Sequence, residues 1–353
     1  MRRRPLRTLL AAAVAVMALP AAPAVADGPV PYYVSAQGND EAAGTEPAAA
    51  WRTLGRASAA TLGPGDQVLL EGGVTHTGTL ALDPGDAGTA AAPIVVTGYG
   101  SGRPRIDAGD GTAISISDIG GVTVHALDVV GSGRTTNRGS GISAYSWRTP
   151  ATLEGLTVTD VTARGFGGWG VIIGSDRDAG GYAGVRIDRV DASANGEGGI
   201  LTWAAQPRTH RDVRITRSRA FSNPGVPGLR KNSGNGIVIG SAAGGLIEEC
   251  VAAYNGGLNT YVEGGAGIWT YDSDAVVIQR NESHHNRTGG PTDGDGFDLD
   301  QNTTNAVVQH NYSHDNDGAG FLLAHGPSGG AHRGNVVRFN ISENDGRRNG
   351  YGA

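Results

Sequence analysis

The chain has 353 residues, with 28 Lys and Arg against 34 Asp and Glu, and a formal net charge of −6 at pH 7. This acidity excludes nucleic acid and anionic membrane surfaces as partners. Its 59 glycines follow no period of three, which excludes collagen, and β-branched residues recur between them, which excludes a low-complexity chain.

The first residues combine a basic "MRRRPLR", an apolar "TLLAAAVAVMALPAA" too short for a good membrane span, and a small-residue "AVA" at Ala24–Ala26. They predict a secretory signal peptide over residues 1–26, cut before Asp27, and a soluble extracellular protein. Cleavage removes four arginines and no acids, so the net charge becomes −6 − 4 = −10. Cys250 is the only cysteine, so no intramolecular disulfide can form and a long core must supply stability. Lys231 is the only lysine.

From residue 111 onward the chain repeats. A glycine followed by an apolar residue recurs at Gly141-Ile142, Gly170-Val171, Gly199-Ile200, Gly236-Ile237, Gly267-Ile268, Gly296-Phe297 and Gly320-Phe321, in steps of 29, 29, 37, 31, 29 and 24. Each is followed by a second short strand, from "GLTVTDV" to "NVVRFN". Aligning these strands puts Val161, Val190, Ser218, Cys250, Asn281, Asn311 and Asn340 at one equivalent position. The three asparagines read as a ladder whose side chains bond from layer to layer. Short strands, turns rich in Gly, Asn and Asp, and no long 3.6-residue period predict an all-β solenoid of parallel strands.

These repeats resemble the right-handed parallel β-helix proteins of the pectate-lyase-like superfamily. So does the earlier part, where "YYVSAQGNDEAAGTEPAAAWRTLGRASAATLGPGDQVLLEGGVTHTGTL" and "APIVVTGYGSGRPRID" are similar to the entry segment of secreted polysaccharide lyases. The resemblance implies an N-terminal cap and first coils over residues 27–110, with a short helix near Trp51–Thr61, and β-helix repeats over 111–353. The last residues, "NISENDGRRNGYGA", read as the approach to another coil, so the solenoid is expected to be incomplete at its C-terminal end.

If the residue after each repeat glycine points inward, alternation sends the next one outward, and also the one two further on. The first outward column then runs Ser143, Ile172, Leu201, Val238, Trp269, Asp298, Leu322. The second runs Tyr145, Gly174, Trp203, Gly240, Tyr271, Asp300, Ala324. Trp203, Trp269 and Tyr271 are therefore expected as exposed sugar-stacking subsites beside carboxylates.

The stretch "PTDGDGFDLDQN" holds Asp293, Asp295, Asp298 and Asp300 in eight positions, with no Lys or Arg among them. Three readings are open. The acids, with Asp317 and Asp315 of the following coil, can bind Ca²⁺ through oxygen ligands. This resembles the calcium-dependent β-helix lyases, and the resemblance implies an ion that neutralises a substrate uronate and a Lys or Arg base, here Lys231. Alternatively, Asp298 and Asp300 are the two carboxyls of a glycoside hydrolase, since alternate strand residues lie roughly 6.5 Å apart. Lastly, the acids only shape turns, and the chain is a non-catalytic carbohydrate-binding or surface protein. Six of the nine histidines cluster late, with His284 stacked on His314. A ladder accounts for that pattern without zinc, and His310 or His314 is a candidate general base. The expected protein is a secreted monomer acting on polysaccharide, in the first place as a Ca²⁺-assisted lyase of a uronic-acid polymer, with the glycoside hydrolase and the binding protein as alternatives.

Overall fold

The structure is a computed structural model that describes residues 28–326 and 329–348. The signal peptide predicted over residues 1–26 lies outside the described residues. One coil shows the plan. Ile268–Tyr271 lies in a nine-stranded sheet. Asp274–Gln279 and Glu282–His284 lie in a 19-stranded sheet that bends between them. The chain then returns to the nine-stranded sheet at Phe297–Leu299, in parallel register one layer on. Coil upon coil, this builds the all-β parallel solenoid that the repeat predicts.

The core is a set of stacked columns. Val158, Ile187, Ile215, Ile247, Ile278 and Val308 follow one another up the larger sheet. Ile142, Val171, Ile200, Ile237, Ile268 and Phe297 do the same up the smaller one. All twelve are buried, each worth roughly 1.5–3 kcal/mol of transfer free energy.

The repeat glycines are explained by crowding. A Cβ on Gly267 would sit 2.0 Å from Ser283 Oγ, and one on Gly296 would sit 2.0 Å from Ser313 Oγ. No side chain fits where the two sheets approach each other.

Bends of the larger sheet are made by a left-handed residue, and in the last three coils an asparagine follows it. Arg280 (φ 56) precedes Asn281, and His310 (φ 57) precedes Asn311. Asn311 Oδ1 accepts from Asn281 N–H at 3.0 Å and from Asn281 Nδ2 at 3.0 Å. Asn340 Oδ1 serves Asn311 in the same way, and Asn281 Oδ1 accepts from Cys250 N–H at 2.9 Å. The ladder read from the sequence is thus present, with Cys250 buried in its column. A second ladder, Asn195, Asn223, Asn255, Asn286 and Asn316, lines the corner that leads back to the smaller sheet.

At the N-terminal end, the helix Leu54–Ser58 is capped by Thr53 Oγ1 and buries Leu54 and Ala57 over the first coil, within the span expected for it. The strand Pro31–Val34 already pairs with Gln67–Glu71 in the larger sheet. At the other end, the last described coil leaves Val336, Val337, Phe339 and Ile341 exposed, Phe339 to 70%. Among the described residues no helix is long and apolar enough to cross a membrane.

Candidate active site

The outward columns follow the sequence-derived order. Ser143, Ile172, Leu201, Val238, Trp269, Asp298 and Leu322 pair successively across the nine-stranded sheet. The register places Asp298 between Trp269 on one side and Leu322 on the other. Chain segments preceding these strands, including Asn232 and Glu263 to Ala266, wall the sheet face. They leave a pocket of about 260 Å³ whose lining contains Asp293, Asp295, Asp298, Asp300 and Glu263 and, among the described residues, no Lys or Arg.

Each acid has a different environment. Asp298 is 9% exposed, and its Oδ1 has no hydrogen-bond partner. Burial, reinforced by Asp300, Asp295 and Asp293, holds its carboxyl well above the ordinary carboxylate range. Asp300 is half-buried, and its Oδ1 accepts from Gln301 N–H at 2.6 Å. Burial raises its pKa, and the Gln301 bond opposes the rise. Asp295 is 1% exposed; Ala319 N–H donates to Oδ1 at 2.5 Å, while Oδ2 has no partner. Burial, then Asp293, pushes its pKa up to about 8. Gly318 makes room for this carboxyl, since a Cβ there would lie 2.2 Å from Asp295 Oδ1. Asp293 takes a left-handed turn (φ 63) and accepts from Gly264 N–H at 2.6 Å, and burial raises its pKa.

Two of the sequence candidates are not brought into this pocket. Asp317 turns its carboxylate to Arg287, at 3.3 Å, and to Thr288 N–H, at 3.1 Å. Lys231 pairs with Glu197 at 2.6 Å and lines a neighbouring trough instead. Asp315, weighed as a further ligand, lies beside His314 on the larger sheet.

That trough has a volume of about 490 Å³ and meets the acid pocket at Trp269 and Asn232. Trp203, Trp269 and Tyr271 all line it, yet the expectation that Trp269 is exposed needs correction. Trp269 is only 7% exposed; it packs with Trp169, Val238 and Ala266, and its Nε1–H donates to Asn235 Oδ1 at 3.1 Å. The walling segment closes over it. Tyr271 leans against Trp269 with ring centroids 5.2 Å apart and is half-buried.

Three lining groups were missed. Trp147 stacks 3.9 Å from Tyr145 and is 51% exposed; it lies just past the strand Ile142–Ser146, outside the columns read from the repeat. Trp169 precedes a repeat glycine, and its Nε1–H donates to Glu197 at 3.2 Å. Continuing the outward alternation one step past the strand Ile142–Ser146 finds Trp147; Trp169 has the parity of the inward Val171, and alternation does not find it. Glu197 sits on a loop, and the repeat gave no signal for it.

Oxygen-only donors are the right chemistry for Ca²⁺, and the partnerless oxygens of Asp295 and Asp298 would suit a cation. Against a preformed cage, no three of these carboxylates converge to within 4.8 Å of one another among the described residues. Asp295 and Asp298 are equally well served by protons, which their raised pKa values supply.

A family model described as "Right handed beta helix region" matches residues 151–347. Among curated proteins, a lacto-N-biosidase of Bifidobacterium longum is 24% identical over 419 aligned positions, which cover 89% of this chain and 26% of that protein. The chain thus spans about a quarter of the length of this curated relative. Among solved structures, a pectate lyase superposes with a TM-score of 0.51 at 16% identity, covering 86% of this chain and 79% of the other. A lacto-N-biosidase of Eubacterium ramulus gives 0.46 at 14% identity, covering 89% and 68%. At this identity the likeness to the pectate lyase is one of fold.

Proposed function

The chain belongs to the right-handed β-helix family, and from that premise we propose that it is a secreted glycoside hydrolase whose acid and base are Asp298 and Asp300. One observation carries the reading. Two carboxyls, one on the strand Phe297–Leu299 and one just past its end, open into one pocket, and their surroundings differ. Asp298, sealed between Trp269 and Leu322, keeps its proton; Asp300, half-buried and bonded to Gln301 N–H, ionises more readily. Pairs of this kind assign acid and base.

Asp298 gives its proton to the glycosidic oxygen as the bond to the leaving sugar breaks. Asp300, as the anion, either activates water or attacks the anomeric carbon. Tyr145, Trp147 and Trp203 offer ring faces to neighbouring sugar units along the trough. The protein is proposed to act as a monomer, outside the cell, after losing residues 1–26. The lacto-N-biosidase relationship agrees with a hydrolase but does not supply the substrate.

A second reading rests on the partnerless Asp295 Oδ2 and Asp298 Oδ1. Under it, Asp293, Asp295, Asp298 and Asp300 would hold Ca²⁺, which supplies charge neutralisation of a uronate during elimination. The pocket offers that reaction no Lys or Arg base, since Lys231 is tied to Glu197.

Glycan panels, neutral and uronic, separate the two. The hydrolase releases reducing ends with no ultraviolet-absorbing unsaturated product, and EDTA has no effect. Unsaturated product that EDTA abolishes and Ca²⁺ restores establishes the elimination instead. Sugar binding with neither product makes the cleft a binding site only.

A further inference from the structure

We infer that His284, His285 and His314 form a binding site for a borderline divalent transition-metal ion, of which Zn²⁺ is the representative. The site is independent of the cleft: these histidines lie on or beside strands of the 19-stranded sheet, whereas Asp298 lies on the nine-stranded one. One ligand atom from each histidine falls within 4.8 Å of the other two. A tetrahedral Zn²⁺ with nitrogens at about 2.0–2.1 Å sets its ligands roughly 3.3 Å apart. Modest ring rotations reach that geometry, and all three residues are only half-buried.

The backbone fixes the ligands on two coils. Register pairs His284 with His314, and their rings stack at 4.7 Å and 7°. A ladder alone would explain that pair, but it does not explain His285. This residue adopts a left-handed conformation (φ 54) that brings its Nδ1 to 2.9 Å from His284 Nδ1. Two imidazole nitrogens at that distance require at least one bare lone pair, which is the group a metal takes. His314 has a carboxylate at each ring nitrogen: Asp315 Oδ2 at 2.9 Å from Nδ1 and Glu282 Oε1 at 3.1 Å from Nε2. Whichever nitrogen binds the ion, the other keeps an acidic acceptor. Metal-bound histidines are ordinarily oriented in this way. Asp315 Oδ2 also lies 4.0 Å from His285 Nε2, and a water would complete the tetrahedron. An ion here would join two successive coils.

The test uses the untagged chain, stripped with EDTA and titrated with Zn²⁺ by calorimetry and with Co²⁺ by visible absorption. One equivalent should bind, with a rise in thermal midpoint. His284→Ala and His314→Ala should each weaken binding by at least about tenfold. His285→Asn, which keeps a residue tolerant of the left-handed turn, should do the same and guards against misfolding of the other variants. His332→Ala, at a separate histidine pair, should leave binding unchanged. The site is overturned if no ion binds, or if binding survives these three substitutions.

Discussion

Asp298 and Asp300 are the same residue type two positions apart, Asp298 on the strand Phe297–Leu299 and Asp300 just past it, and they differ in burial: Asp298 is sealed, whereas Asp300 is half-buried and accepts from Gln301 N–H. The expected pH profile follows. Activity falls on the acid side as Asp300 gains a proton, and on the alkaline side as Asp298 loses its own. Asp298→Asn keeps the shape and removes the proton. Turnover should drop by about 10²–10⁴-fold with KM little changed, as steady-state assays would show. Asp295 makes a stability prediction. Its folded pKa of about 8 stands above the ordinary 3.8, so between those values the folded state holds the extra proton. Its contribution is therefore present at low pH and is lost as pH rises from about 4 to about 8. Urea titrations of wild type and Asp295→Asn should diverge with pH. The variant should gain on the order of a few kcal/mol at pH 8 relative to pH 4.

At the scale of the strand and corner, the protein holds its bends with side-chain amides in place of glycine. Residues such as Arg280, Glu249 and Phe339 occupy left-handed corners at a cost of roughly 1–2 kcal/mol each, and the neighbouring Asn ladder offsets that cost. Asn311→Ala would leave Asn281 N–H and Ile278 C=O without partners inside the core. It should destabilise by at least about 2 kcal/mol. Asn340→Ala, with only one described coil edge to serve and more solvent access, should cost less. Urea midpoints of the two variants give the comparison. The ladder ending at Asn340 was legible because its members share a fixed place after a β-branched strand. The one ending at Asn316 carries the same signal, since Asn195, Asn223, Asn255, Asn286 and Asn316 each stand five residues after Val190, Ser218, Cys250, Asn281 and Asn311; extending the alignment five positions past the bend finds it.

For the molecule as a whole, function depends on lateral stacking. Residues 203, 269 and 298 are distant in sequence and become neighbours on one face only because coils climb in register. The trough should bind sugar through its rings independently of the acids. Trp203→Ala should raise KM by about 5–10-fold, the worth of roughly 1–1.5 kcal/mol of stacking, with kcat nearly unchanged. A matching fall in kcat would instead place Trp203 at the reacting sugar.

The sequence by itself determined the solenoid, the inward and outward columns and the concentration of acid at residues 293–300. These follow from short-range rules: strand alternation, a repeated glycine where two sheets meet, and a repeated amide at a bend. What only the tertiary structure decided was the state of each side chain. Trp269 is outward by register yet covered, because a loop folds over it. Lys231 is taken by Glu197, and Asp317 by Arg287, because loops bring those partners from other coils. Burial holds the Asp298 carboxyl above the ordinary carboxylate range, and the neighbouring coils present Trp269 and Leu322 on either side of it. Solvent exposure and charge partnership are sums over neighbours from several coils, and a linear pattern does not carry them.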